Sequence, residues 1–407
     1  MTTRAMFSKR SHSSKAIELQ VPPGIYLSGT TITGQVNINL RLVHEEDIDA
    51  AEVRLYGYAN TCYDSRVLVR ETTTLWTRGS SIYPLPGSDI LSMPFSFTLP
   101  DKLPPSFQVQ GLEYSATVRY SLTAVGLSRQ GLLNVNKQHC VPLTVVPKDD
   151  FGTSLIQGWV AQGWQTFSKE ERIRKGLWGE YSTVFVQLDL PNRILPLSST
   201  LPYVITITTT SSPLTRTQAA THPPAFPLMP TSADALHFTL GRRLVICAPH
   251  NSTRSYKEIE AFLGPKATTA VTGKARPLVR GSIDNGKWVP HDGHSVSTDE
   301  SDRRMGAWVQ RVVFESTFTL DCSPSFALPG LIECAYEFVV TVPFPGLRND
   351  VRLAVPVTVT SGIWTTGSQD VPPPGVATSE VLPLDIPPAY WDMNYPGRLN
   401  DDEKSGN

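Results

Sequence analysis

The chain has 407 residues, with 36 Lys plus Arg against 37 Asp plus Glu and a formal net charge of -1. That length allows two or three domains with real cores, and the balanced charge gives no long-range pull toward nucleic acid or anionic lipid, so no nucleic-acid partner is expected. Charged residues are only 18%, below the roughly 25% usual for globular domains, while 34 Pro and 28 Gly supply many turns; both favour strands over helices.

Residues 1–16 are basic, Ser-rich and poor in acids, which reads as a disordered N-terminus; the same composition is shared by mitochondrial transit peptides. No stretch reaches the roughly 20 apolar residues of a membrane-spanning helix, and the start lacks the apolar block of a secretory signal, so a cytoplasmic protein is expected. The five cysteines, Cys62, Cys140, Cys247, Cys322 and Cys334, are odd in number and form no CxxC pair. Reduced thiols packed in β cores are the expectation, rather than a disulfide framework or a zinc site.

Residues 17–147 are dominated by period-two runs. Val36, Ile38, Leu40 and Leu42 fall on one face with Asn37, Asn39 and Arg41 on the other, and similar runs cover 53–58, 67–70, 115–125 and 141–146 between Gly, Pro and Ser clusters. Such spacing predicts an antiparallel sandwich. Between 148 and 178, Leu155, Ile156, Trp159, Val160, Trp164 and Phe167 recur at near-helical intervals, and Gly158 and Gly163 weaken a helix by up to about 1 kcal/mol each. An amphipathic helix or an irregular interdomain linker is expected. The apolar stripe, lying beside Lys169, Arg172, Arg174 and Lys175, suits packing between two domains or contact with a membrane surface.

Strand patterning resumes over residues 179–361, with runs at 182–190, 203–208, 238–246, 309–320, 336–342 and 351–360. Two polar stretches, 209–234 and 281–304, read as loops outside the core. Residues 362–407 lose the alternation and are rich in proline, which predicts a disordered tail.

An internal echo links the two β regions. Pro105, Ser106, Phe107, Gly111 and Leu112 spell PSF-x3-GL, as do Pro324, Ser325, Phe326, Gly330 and Leu331. Each copy follows an FTL strand end, at Leu99 and at Leu320, and each region closes on a similar strand, VPLTVV from Val141 and VPVTVT from Val355. Two related units with the same sandwich corner are implied.

Candidate functional residues concentrate in the tail. Pro387, Pro388, Ala389 and Tyr390 form a PPxY sequence; a proline pair pre-set in polyproline II loses little entropy in an aromatic groove, and Tyr390 supplies a ring for a neighbouring pocket, as WW domains require. Leu382, Leu384 and Asp385, after Val381, resemble a clathrin-binding box with Val in place of the leading Leu. Ser295, Ser297, Thr298 and Ser301 lie beside Asp299, Glu300 and Asp302, where phosphate would enlarge an acidic loop. His291 and His294 fall short of a metal site, since no third ligand is in register. No GxSxG elbow, Walker loop, dinucleotide fingerprint or HExxH occurs, so neither an enzyme nor a cofactor is expected.

The start AIELQVPPGIYLSGTTITGQVNINL with Gly29 and Gly34, the segment from Leu103 to Tyr120, the closing strands and PPAY together resemble a fungal α-arrestin, an arrestin-related trafficking adaptor. The resemblance covers nearly the whole chain and implies an all-β fold of two tandem immunoglobulin-like antiparallel β-sandwiches. It implies an adaptor that binds a plasma-membrane transporter or receptor and recruits a WW-domain HECT ubiquitin ligase through Pro387, Pro388 and Tyr390; the box-like residues Leu382, Leu384 and Asp385 would separately add clathrin coat as a partner. Such a protein is cytoplasmic and is recruited to plasma membrane and endosomes through its cargo. Family members often carry several PPxY motifs, whereas this chain has one. The competing expectations are an arrestin-fold endosomal sorting scaffold that recruits no ligase and, more remotely, a carbohydrate-active β-sandwich enzyme.

Overall fold

A computed structural model describes residues 15–112, 114–128, 137–149, 151, 163–176, 178–197, 199–221, 227–247, 252–265, 267, 279–290, 305–346 and 348–363. The described chain is almost entirely strand. The first set comprises β1 (Ile17–Gln20), β2 (Ile25–Leu27), β3 (Thr31–Asn39), β4 (Ala50–Thr61), β5 (Ser65–Thr77), β6 (Ile90–Thr98), β7 (Phe107–Gln110), β8 (Ser115–Leu127) and β9 (Lys137–Val146). The second comprises β10 (Gln165–Arg174), β11 (Tyr181–Leu190), β12 (Ile194–Pro196), β13 (Thr200–Thr210), β14 (Leu214–Thr215), β15 (His237–Cys247), β16 (Ser252–Leu263), β17 (Arg280–Pro290), β18 (Met305–Thr319), β19 (Phe326–Leu328), β20 (Ile332–Val342) and β21 (Val351–Thr360). Two six-residue helices, α1 (Leu40–Glu45) and α2 (Arg216–Thr221), and one turn of 3-10 helix at Ala233–Ala235 complete the described chain.

These strands form four sheets, and no sheet mixes the two sets. In the first half, β1-β3-β6 stands apart from β2-β9-β8-β4-β5, with β7 also on β8; in the second, β10-β11-β13-β18-β14 carries β17 on β18, and β12-β21-β20-β15-β16 carries β19 on β20. Every pairing is antiparallel except β2 with β9 and β12 with β21. Alternation explains the layering. In β4, Ala51, Val53, Leu55 and Ala59 are sealed from solvent, while Glu52, Arg54, Tyr56 and Tyr58 are only half-buried on the opposite face. The fold is an all-β sandwich, as the period-two runs predict.

Several local expectations are corrected. The run Val36–Leu42 does not stay extended: β3 ends at Asn39, whose Oδ1 accepts from the Leu42 amide at 3.3 Å and caps α1, so Leu40 and Leu42 belong to a helix. Within 148–178, β10 occupies Gln165–Arg174 and is an edge strand, paired with β11. Its alternation is masked in sequence because both faces are polar, with Lys169 and Glu171 half-buried on the side of Phe167 and Ile173. Charges on an edge also discourage pairing with another chain. The stretch 281–304, expected as a loop, begins with most of β17, which pairs along β18 with a bulge between Asp284 and Lys287. The stretch 209–234 holds β14 and α2. The remainder of these stretches, 152–162, 222–226 and 291–304, lies outside the described residues, as do 1–14 and 364–407.

Candidate functional site: the junction of the two halves

The echoed corner is built twice with the same bonds. The Ser106 amide donates to Val145 O at 2.7 Å and the Val145 amide to Ser106 Oγ at 2.9 Å. In the second half the Ser325 amide donates to Val359 O at 2.8 Å and the Val359 amide to Ser325 Oγ at 2.9 Å. Each Ser therefore pins its corner to the closing strand, β9 or β21. Two residues before each corner serine the chain is tied again. Tyr120 Oη donates to Pro104 O and Tyr336 Oη to Ser323 O, both at 2.8 Å. Burial pushes both phenols far above their ordinary pKa, so each stays a neutral donor. The copies diverge at their ends, where Leu331 is sealed while Leu112 is fully exposed.

The phenylalanines of the two corners meet. The Phe107 and Phe326 rings lie edge to face, with centroids 5.1 Å apart at 69°, and the Arg242 guanidinium sits over Phe107 at 5.7 Å. A second equivalent pair also meets. The segments leaving β9 and β21 exchange three bonds: Ser361 Oγ to Pro147 O (2.6 Å), the Gly362 amide to Asp149 Oδ2 (3.0 Å) and the Asp149 amide to Ile363 O (3.0 Å). Equivalent positions touching each other at two places mark an approximate two-fold relation between the halves, as at the isologous interface of a dimer. Gly362 has φ +67, left-handed backbone that suits glycine at this turn.

Three further bonds cross the junction. Tyr63 Oη and Thr253 Oγ1 are 2.9 Å apart, Ser255 Oγ donates to Tyr114 Oη at 2.9 Å, and Arg66 Nη2 donates to Pro329 O at 3.1 Å. The partners are 190, 141 and 263 residues apart in sequence, so no local pattern marks them. What this junction does chemically is hold the two halves in one orientation, through an aromatic centre ringed by hydrogen bonds, two of which involve the charged groups of Asp149 and Arg66.

Near it, Cys334 Sγ lies 3.6 Å from Tyr336 Oη. Burial, first of all, pushes the Cys322 thiol up to about 12 and raises Cys334 too, so both are poor nucleophiles. All five cysteines are free, but Cys62 and Cys140 are exposed, contrary to the expectation of core packing. Cys140 falls on the solvent side of β9 and Cys62 at the end of the β4–β5 hairpin. On the outer face of the second half, Glu337, only 8% exposed, is paired with Arg243 at 3.4 Å and Arg352 at 3.9 Å. This pairing offsets the desolvation of a carboxylate, and it is a structural cluster.

Among the described residues no group of three or more His, Cys, Asp or Glu is placed to hold a metal. Pro387, Pro388, Tyr390, Leu382, Leu384 and Asp385 lie outside the described residues, as do Ser295, Ser297, Thr298 and Ser301 and the pair His291 and His294. Gly362 and Ile363, expected as the start of a disordered tail over 362–407, are instead bonded at the junction, and the rest of that stretch, 364–407 with PPAY, lies outside the described residues. No family model matches the chain, and no curated protein does.

Proposed function

We propose that the chain is an arrestin-like trafficking adaptor: two tandem immunoglobulin-like sandwiches of the arrestin fold, roughly 17–147 and 179–361, that bind a plasma-membrane transporter or receptor, with a tail that recruits a WW-domain HECT ubiquitin ligase through Pro387, Pro388 and Tyr390. The observation that carries this reading is the junction. Two halves that share one sheet order, β2-β9-β8-β4-β5 with β7 and β12-β21-β20-β15-β16 with β19, are bonded to each other through equivalent residues, and the chain runs on from that same place to PPxY. Such a bracket has the shape of a scaffold, and its mechanism is proximity: a cargo held on one surface is brought within the tail's reach of the ligase, which raises the effective concentration of cargo lysines. The protein acts at the cytoplasmic face of plasma membrane and endosomes.

The test is capture of the full-length chain by isolated WW domains. Wild type is retained and Tyr390→Ala is lost to background, because the Tyr ring fills one of the two pockets that a PPxY peptide needs. Equal retention of both proteins, or retention of neither, removes the ligase-recruiting step and favours a sorting scaffold.

A further inference from the structure

The first strand is held by a bond that the adaptor reading does not use. β1 is the outermost strand of its three-stranded sheet and pairs with β3, Ile17 opposite Ile38 through Gln20 opposite Gln35. The Asn39 amide donates to Ala16 O at 2.9 Å, so the positions bonded to β3 are 16, 18 and 20. Leu19 therefore turns its amide away from β3, out of the edge of the sheet, while its side chain is buried in the core. His139 of β9, 120 residues away, covers that edge: its Nδ1 accepts from the Leu19 amide at 2.9 Å. A side chain thus stands where a neighbouring strand would supply a carbonyl. A backbone amide can only donate, so Nδ1 is the unprotonated nitrogen and the ring is neutral, with its proton on Nε2. A proton on Nδ1 would set donor against donor and remove the bond.

The rest of the contact on that side is a matter of shape. A Cβ at Gly126 of β8 would come within 2.8 Å of Ile17 Cδ1 and 3.0 Å of Ile48 Cδ1, so glycine leaves the room in which Ile17 seats. The charged groups that face the His139 ring come from β1 and the residues just before it: the Lys15 ammonium, which opposes protonation, and the Glu18 carboxylate, which favours it. On β8 the neighbour across from His139 is Ala124, flanked on the same face by Leu122 and Gly126, and none of the three titrates. On β9 the next residue of that face is Val141; the Lys137 side chain, on the other side, lies outside the described residues. Burial above all, with Lys15, holds the ring below the ordinary imidazole pKa of 6.5. The latched ring therefore takes up a proton less readily than a released one. Its contribution is complete above the ordinary imidazole pKa and is lost as pH falls through the lowered value.

We infer that His139 is a proton-operated latch on the first strand: neutral, it ties β1 to β9 and closes the edge of the smaller sheet; protonated, it lets go and β1 loosens from the first half. The inference is independent of the ligase-recruiting tail, since it needs neither Tyr390 nor a cargo. The experiment is amide hydrogen exchange of the full-length protein at about pH 7.5 and about pH 5, either side of the imidazole range, corrected for the intrinsic pH dependence of exchange. Protection of residues 17–20 falls on acidification by about five-fold, the size expected for one hydrogen bond, while that of β4 and β13 stays the same. His139→Asn, whose Oδ1 takes the place of Nδ1 and does not titrate, keeps β1 protected at both pH values, and His139→Ala leaves it less protected at both. In wild type labelled at leucine and histidine nitrogen, the Leu19 amide and the His139 ring titrate with one midpoint. Three results overturn the latch: β1 protection that does not depend on pH, a pH dependence that persists in His139→Asn and so belongs to another group such as Glu18, or separate midpoints for the amide and the ring. The last of these is read on wild type and needs no variant to fold.

Discussion

Phe238→Ala lowers the stability of the second half by about 3 to 5 kcal/mol, the usual loss for a fully buried phenylalanine. Phe238 is sealed from solvent and its ring centroid lies 4.8 Å from Tyr203, 5.1 Å from Phe338 and 5.3 Å from Phe262. Tyr203 belongs to one sheet of the half, through β13, and the other three rings to the opposite sheet, through β15, β16 and β20. Phe318 of β18 adds a fifth ring, 5.0 Å from Phe338 and 5.2 Å from Phe262. The cluster is therefore the contact between the two sheets, and a methyl group at 238 leaves a cavity that extended backbone on both sides cannot close. Thermal unfolding followed by tyrosine and tryptophan fluorescence should show the transition falling by roughly 10 °C. A loss below about 1 kcal/mol would mean that these sheets do not share a core.

Phe107→Ala and Phe326→Ala each destabilise the chain, and together they do so by less than the sum, with a coupling of about 0.5 to 1.5 kcal/mol for the lost ring pair. The coupling arises because each ring is the other's partner across the junction. Once one is gone, truncating the second no longer breaks an edge-to-face contact. Phe107→Ala also removes the platform beneath Arg242. In denaturant, wild type should show strongly overlapping transitions for the two halves, and the double variant should separate them, since neither half loses its own sheets. Strict additivity would mean that the halves are held by the hydrogen bonds of the junction and not by this ring pair.

Much of this architecture is legible because it is local. Alternation in β4, β8 and β21 follows directly from burying one face, and the PSF repeat marks its corners because a Ser that bonds both ways to a closing strand tolerates few substitutes. Polar edge strands are illegible for the converse reason: β10, β16 and β17 bury little, so their sequences carry no alternation of apolar with polar residues. The end of β3 at Asn39 was hidden because Leu40 and Leu42 continue the rhythm while a side-chain cap turns the backbone. The junction is the least legible of all. Its partners are drawn from distant segments, and only the sharing of the PSF corner hints that Phe107 and Phe326 are equivalent, not that they touch. The PPxY residues show the opposite case: the motif proposed as a ligand is contiguous in sequence, so it can be recognised there without reference to the fold.

Adaptor action is tested most directly by the ubiquitin state of membrane proteins in cells that express, at equal level, either the wild-type chain or Tyr390→Ala. Quantifying ubiquitin-remnant peptides across the membrane fraction should reveal a small set of transporters or receptors whose modification drops several-fold in the variant and whose amount at the cell surface rises. Identical profiles for the two proteins, with the wild type present and folded, would contradict an adaptor that works through this tail.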